Sequence, residues 1–244
     1  MKPKIDQVVI IPTFNEEESI GLLLEDFLSQ LENNTYLIFV DDSETDQTVE
    51  NIRRVLSSNI EWNTQFHVIH NDSKSGRGHA VRQGMLYAKN EFDPDRYLEM
   101  DSDGSHRAMD AVKVFSNIPI DGYAIGSRYL DGSKIVGWAK SRLFYSKLIN
   151  SMLRAIFRLE ISDWTNGLRG YSRNAVNLLL EKPQLNGGFI YLAEEILLLD
   201  AAGVPVKEIP ITFKERVAGN SSVTYVEIIN SIRGVFLLIM KKRR

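Results

Sequence analysis

Residues 97–106 read Tyr97-Leu98-Glu99-Met100-Asp101-Ser102-Asp103-Gly104-Ser105-His106. An apolar strand signal passes directly into two carboxylates one residue apart. Strand alternation puts Asp101 and Asp103 on the same side. Two hard oxygen ligands at a strand's carboxyl end suit Mg²⁺ or Mn²⁺ carrying a diphosphate. A solvated turn uses the same letters, so the flanking chain has to decide between the two readings.

Upstream, strand and helix signals alternate, which predicts parallel βαβ units and an α/β fold. Val8 to Ile11 is a buried strand ended by Pro12, and a helix is expected from Asn15 through Leu31. Tyr36 to Val40 is a second strand running into Asp41 and Asp42, followed by a helix opening at Thr48. Phe66 to Ile69 is a third, with Ser75-Gly76-Arg77-Gly78 before a helix over 79–88. Arg96 to Met100 and Gly122 to Gly126 are the fourth and fifth. Strands one, two and four thus end in Asn15/Glu16, Asp41/Asp42 and Asp101/Asp103. In an open α/β sheet that edge is where ligands bind. Three converging acidic clusters repel one another unless a cation or hydrogen-bonding ligand joins them, which favours a nucleotide-plus-metal site.

Composition narrows the classes. The 244 residues fit one large domain or a domain with an appendage. A net charge of −3 gives no argument for nucleic-acid binding, and no nucleic-acid partner is expected. The absence of cysteine excludes disulfides and thiolate metal sites. The N-terminus leads straight into the first strand, so no signal peptide is expected. No apolar run reaches the ~18–20 residues of a spanning helix.

Residues 134–158 interleave apolar and aromatic side chains with Lys134, Lys140, Arg142, Lys147, Arg154 and Arg158, without an acidic residue. The spacing predicts an amphipathic helix, either packed on the core or lying near a membrane on the acceptor side. Residues 223–244 form a second such segment ending in Lys241-Lys242-Arg243-Arg244. It suits either an anionic bilayer surface or the protein's own core.

The ordered segments IPTFNEEESI (11–20), VDDSETDQT (40–48), SGRGHAVRQGM (75–85) and MDSDGSH (100–106) resemble the family 2 glycosyltransferases of GT-A fold. IGSRY (125–129), GW (137–138), SDWTNGLRGYSR (162–173) and EIPITFKERVAGNSS (208–222) continue the match. The branch most similar is that of dolichol-phosphate mannosyltransferases and polyprenyl-phosphate glucosyltransferases. The resemblance implies a Rossmann-like, mixed but mostly parallel sheet flanked by helices. The catalytic domain is expected over 1–222, with C-terminal amphipathic helices. It implies inverting transfer of a hexose, mannose or glucose, from a GDP- or UDP-sugar to a polyprenyl phosphate, dolichyl or undecaprenyl. The cofactor is then Mg²⁺ or Mn²⁺. The enzyme is expected to be peripheral, on the cytoplasmic side of a membrane, directly or through a membrane-anchored partner.

The same resemblance assigns residues. Pro12, Phe14 and Glu16 take the nucleobase, and Val40 and Asp42 the nucleoside. Asp101, Ser102 and Asp103 form the nucleotide site, with Asp101, Asp103 and Ser105 as metal ligands. Arg128 and Arg216 clamp phosphate and are catalytic together with Asp101 and Asp103. Arg142, Arg128 and Ser222 face the acceptor phosphate. Asp163, Asn166, Arg169 and Glu194 lie beside the sugar.

There are departures. Ser222 stands where a lysine is common, so Arg216, Lys214 or another base, Arg77 or His79 among them, is expected to supply the missing charge. A phosphate monoester is already largely ionised at pH 7, with a second pKa near ~6, so it attacks without a general base. A saccharide or protein hydroxyl, the alternative acceptor, requires one, with Asp163 or Glu194 the candidates. A nucleotidyltransferase lacks its glycine-rich loop here. A non-catalytic binding protein would hold donor without turnover.

Overall fold

In the computed structural model, the structure describes residues 5–32, 34–59, 62, 65–216 and 233–240. Nine strands and seven helices are delimited among them, in the order β1 (Gln7–Thr13), α1 (Ile20–Leu28), β2 (Thr35–Asp41), α2 (Thr48–Ser58), β3 (Phe66–His70), α3 (Arg77–Glu91) and β4 (Arg96–Glu99). Then come α4 (Ala108–Ser116), β5 (Tyr123–Ser127), β6 (Lys134–Val136), α5 (Lys140–Phe157), β7 (Arg169–Ser172), α6 (Arg173–Glu181), α7 (Tyr191–Ala201), β8 (Val206–Pro210) and β9 (Thr212–Lys214).

Seven strands form one sheet in the order β3-β2-β1-β4-β7-β5-β8. All neighbours pair in parallel except β7, which runs antiparallel between β4 and β5. The sheet is therefore mixed and mostly parallel, as expected. Parallel strands covered on both faces need apolar residues at every position. Val8 and Ile10 duly point into one core with Ile38, Val40 and Tyr97, while Val9 and Ile11 point into the other with Leu37, Phe39 and Leu98. Helices α3, α6 and α7 cover the first face, and α1, α2 and α4 the second. The crossovers carry the carboxyl ends of β1, β2, β4 and β5 to one edge.

Several boundaries differ from the sequence reading. Strand β1 runs through Pro12 to Thr13. Helix α1 begins only at Ile20, because Asn15 takes a left-handed conformation (φ 56°) and Glu16 O closes a turn with Ser19 and Ile20 N–H. That turn keeps 14–19 as a loop at the sheet edge. Residues 134–158 are not one helix. Lys134–Val136 pairs with Thr212–Lys214 as a two-stranded ribbon, and the helix starts after Gly137 and Trp138. Gly76 precedes α3 with φ 95°, and a Cβ there would lie 2.8 Å from Gly187 O, so glycine is required twice over.

Helix α5 buries Asn150, Leu153 and Phe157 and exposes Phe144, Tyr145, Leu148, Ile149, Met152 and Ile156. Residues 233–240 are helical. Leu238 reaches the core, while Phe236, Leu237 and Met240 face outward. The segment so divides its apolar residues between the protein and the surface. The basic residues 241–244 and Ser222 lie outside the described residues. No described helix is long and apolar enough to cross a membrane.

Candidate active site

The sheet edge opens into a cleft of about 780 Å³. The loop after β1 supplies Pro12, Phe14 and Glu16 to its lining, and the end of β2 supplies Asp42. Asp101, Ser102, Asp103 and Ser105 follow β4, and Arg128 follows β5. Arg142 from the first turn of α5, Asn166 and Arg216 complete the set. Residues spread over more than 200 positions thus meet around one cavity.

The acidic groups are not left to repel one another. Asp41 is fully buried beneath the edge, where it accepts from Thr13 Oγ1 (2.7 Å) and Ser43 Oγ (2.8 Å). Asp42 accepts from Ser75 N (2.8 Å), Gly76 N (3.1 Å) and Asn71 Nδ2 (2.8 Å), which ties the 71–76 loop to β2. Asp101 Oδ1 receives Arg77 Nε and Nη2, both at 2.8 Å. Burial alone would raise the Asp101 pKa, but the Arg77 charge outweighs it and holds the carboxyl below its ordinary value. Part of the clustered charge is thus neutralised within the chain itself.

Asp103 is treated differently. Its Oδ1 accepts from Ser105 N (3.0 Å), and its Oδ2 has Arg216 Nη2 at 3.6 Å, an ion-pair distance too long for a hydrogen bond. Glu16 shares this part of the cleft and is hydrogen-bonded by Ser19 Oγ. Burial, reinforced by Asp103, raises its pKa to about 7. Lys74 Nζ stands 4.3 Å from the centre of the Phe14 ring, so that ring is already a platform for a flat or cationic group.

Arg128 is a buried guanidinium fixed by Asp163. Its backbone N and Nε donate to Asp163 Oδ2 (3.0 and 2.7 Å), and Nη2 donates to Oδ1 (2.8 Å) and Thr165 Oγ1 (2.8 Å). Against burial, the Arg128 charge keeps the Asp163 pKa low. Trp138 lies between two cations, with Arg142 4.1 Å and Arg128 5.4 Å from its ring centre. Arg142 Nη1 also donates to Glu215 Oε1 (2.9 Å). The Trp138 indole N–H is buried without a hydrogen-bond partner among the described residues.

Other expected site residues are placed elsewhere. Val40 is a core residue, wholly buried on the α3 face. Arg169 is buried and donates to the carbonyls of Asn166, Leu192 and Trp164, so it braces the loop before β7 instead of facing a sugar. Glu194 accepts from Leu185 N, Asn186 N and Asn186 Nδ2. Asp163 acts on Arg128 from behind the cleft. Ser102 Oγ donates to Pro12 O (3.0 Å), so its proton is already committed to the loop after β1. Asn166 lines the cleft but is locked between His106 Nε2 (2.9 Å) and Gly126 O (2.5 Å).

His106 and Phe213 were not singled out as site residues. His106 is fully buried and joins Asp101 N to Asn166, while Phe213 backs Trp138 and Arg128. The His106 signal was present, three residues beyond Asp103; nothing local marks Phe213. Arg77 does reach the cleft, but its charge is directed onto Asp101, and His79 does not line it.

The family model described as Glycosyl transferase family 2 matches residues 8–180. The polyprenol monophosphomannose synthase of Mycolicibacterium smegmatis is 31% identical over 92% of this chain and 83% of its own length. The undecaprenyl-phosphate mannosyltransferase of Micrococcus luteus is 29% identical over 89% of this chain and 87% of its own. In overall shape the chain is similar to the mannosyltransferase PcManGT from Pyrobaculum calidifontis, solved with GDP-Man and Mn²⁺. That likeness has a TM-score of 0.61 at 19% identity, over 88% of this chain and 58% of that one. With a cleft of this construction and a family match across most of its length, this chain belongs to glycosyl transferase family 2.

Proposed function

We propose that this protein transfers a mannosyl unit, with inversion, from a nucleotide diphosphate sugar to a polyprenyl phosphate. The observation that carries the reading is the double placement of α5. Its first turn brings Arg142 into the cleft beside Trp138, while its outer face is apolar, basic and free of acidic residues. A phosphate reaching Arg142 from a membrane would have its lipid tail beside Phe144 and Leu148. The two bacterial relatives act on lipid phosphates by name and carry mannose, which favours that sugar over glucose.

The loop after β1 would take the nucleoside through Phe14, Glu16 and Asp42. Hard oxygens at Asp101, Asp103 and Ser105 fit Mg²⁺ or Mn²⁺, which is held by one or two carboxylates together with phosphate oxygens. Consistent with that mode, no cluster of three or more acidic or histidine ligands occurs among the described residues. The Ser105 hydroxyl is buried without a partner among them, a polar atom available to a ligand. A cation bound there would offset charge on the departing diphosphate. Arg216, beside Asp103, and Arg128, held rigid by Asp163, add fixed positive charge on the same side.

The acceptor phosphate needs no base. Asp163 and Glu194, the carboxylates a hydroxyl acceptor would call on, are both fully engaged. Glu16 has a suitable pKa of about 7 but belongs to the nucleoside loop. Peripheral attachment on the cytoplasmic side, through α5 and the 233–240 helix or a membrane-anchored partner, follows from the same reading.

The test is transfer of label from GDP- and UDP-sugars to a short polyprenyl phosphate, with Mg²⁺ or Mn²⁺ and with EDTA. Metal-dependent label in the organic phase, lost in Asp103→Ala, is expected. Donor hydrolysis without lipid product would overturn the acceptor assignment.

A further inference from the structure

We infer that Glu215 and the acceptor's phosphate exchange places on Arg142, and that the returning carboxylate expels the lipid product. The inference rests on the lipid-phosphate reading above and adds a residue that reading does not use.

The two arginines assigned to the acceptor are held in opposite ways. Arg128 and its partner Asp163 are both buried, so that pair is permanent. Arg142 Nη1 donates to Glu215 Oε1 at 2.9 Å, with the two side chains 44% and 48% exposed. An ion pair so open to water is weak and readily exchanged. Arg142 does not depend on it for its position. Its guanidinium lies 4.1 Å from the Trp138 ring centre, and that contact keeps it at the cleft when the carboxylate leaves.

Helix α5 has no acidic residue of its own, so the carboxylate is brought from the strand ribbon. Glu215 does not line the cleft and reaches Arg142 from outside it. Its backbone N donates to Val136 O (2.9 Å), which extends the β6–β9 pairing by one residue. Gly137, with φ 91°, leaves the space. A Cβ there would lie 2.9 Å from Glu215 Cβ and 3.4 Å from Oε2. The next residue, Arg216, turns to Asp103 on the donor side. Glu215 is therefore a positioning residue that acts through Arg142.

The reaction gives the exchange a direction. An oxygen of the acceptor phosphate bonds to the anomeric carbon as the bond from that carbon to the diphosphate breaks. The bonding pair leaves with the diphosphate, and no proton moves. A monoester that enters with close to two negative charges at pH 7 becomes a diester with one. The entering dianion outcompetes a single carboxylate for Arg142. The product carries no more charge than Glu215, which is tethered beside the guanidinium and retakes it.

The experiment is calorimetric binding of farnesyl phosphate and of methyl farnesyl phosphate, a diester with the product's charge, to the full chain. The unchanged protein should hold the monoester more tightly than the diester. Glu215→Gln, and equally Glu215→Ala, should tighten both by about three- to fivefold, the worth of an exposed ion pair. In turnover the acceptor KM and the inhibition constant of the product should fall by the same factor, with donor KM unchanged. In an Arg142→Gln background the Glu215→Gln change should tighten neither probe. A Glu215 that merely braces the ribbon would lower the melting temperature and tighten nothing. Unchanged or weaker diester binding in the folded Glu215 variants, or the same tightening without Arg142, overturns the inference and leaves the functional reading standing. If the unchanged protein binds neither probe, both fall.

Discussion

Asp163 grips Arg128 through three N–H groups, one from the backbone and two from the guanidinium, at 2.7–3.0 Å. Both groups are buried, so neither tolerates loss of the other. Asp163→Ala leaves an uncompensated guanidinium under the cleft and should cost about 3–5 kcal/mol of stability. Asp163→Asn preserves shape but not charge. It should unfold at lower denaturant and lose most transferase activity, with kcat falling further than donor affinity. Denaturant titration and steady-state kinetics check both; an Asn variant with native kcat would refute the positioning role.

Gly167→Ala tests the fit between the 162–168 loop and Arg77. The added methyl, 2.3 Å from Arg77 Nη2, must displace the guanidinium or the loop, at about 1–3 kcal/mol. Because the displaced atoms touch Asp101, activity should fall more than the drop in melting temperature alone would explain.

Phe14→Ala should raise the donor KM about tenfold while leaving kcat within about threefold, since a stacked base is worth about 1–3 kcal/mol. An unchanged KM would move the nucleobase away from this loop.

Glu195 is buried beside Glu99, and burial followed by that neighbour raises its pKa to about 8. Tyr171 Oη donates to it at 2.7 Å. In the unfolded chain the group ionises near 4.5, so the folded protein binds this proton more tightly. The contribution is full below about pH 4.5 and is lost as the pH rises through about 8. Glu195→Gln keeps an acceptor for Tyr171 and cannot ionise. The fall in melting temperature between pH 6 and pH 9 should therefore be smaller in the variant, measured by calorimetry at both values.

Replacing Phe144, Leu148 and Met152 by glutamate should weaken binding to vesicles of anionic lipid at least about tenfold. Transfer to a short, detergent-dispersed acceptor should persist. Sedimentation with vesicles, set against transfer to the short acceptor, separates a membrane face from a core defect.

Strands β1, β2 and β4 were legible because each is an apolar run ending in a polar cluster, and the cleft was legible because those clusters share one sheet edge. Strand β7 was not. It is four residues long, Arg-Gly-Tyr-Ser, and its polar letters conceal a wholly buried strand whose arginine is satisfied by three backbone carbonyls. The pairings that define the site were equally hidden. Arg77 meets Asp101 across 24 residues, Arg128 meets Asp163 across 35, and Glu99 meets Tyr191 across 92. Such partners are chosen by how helices seat on the sheet, which no local spacing encodes. Val40 and Arg169 were misplaced for the same reason: their motif neighbours face the cleft, whereas their own side chains turn into the core.

The antiparallel β7 also sets an order of assembly. Strands β1 to β4 find their parallel partners within the first hundred residues, so this half of the sheet can pair before the rest of the chain is made. Strand β5 pairs only with β7 and β8, both later in the chain. The strand that delivers Arg128 has no sheet neighbour until residue 169 has been made. The β5 side of the cleft is therefore completed last, and its arginine is set against a sheet edge that is already paired.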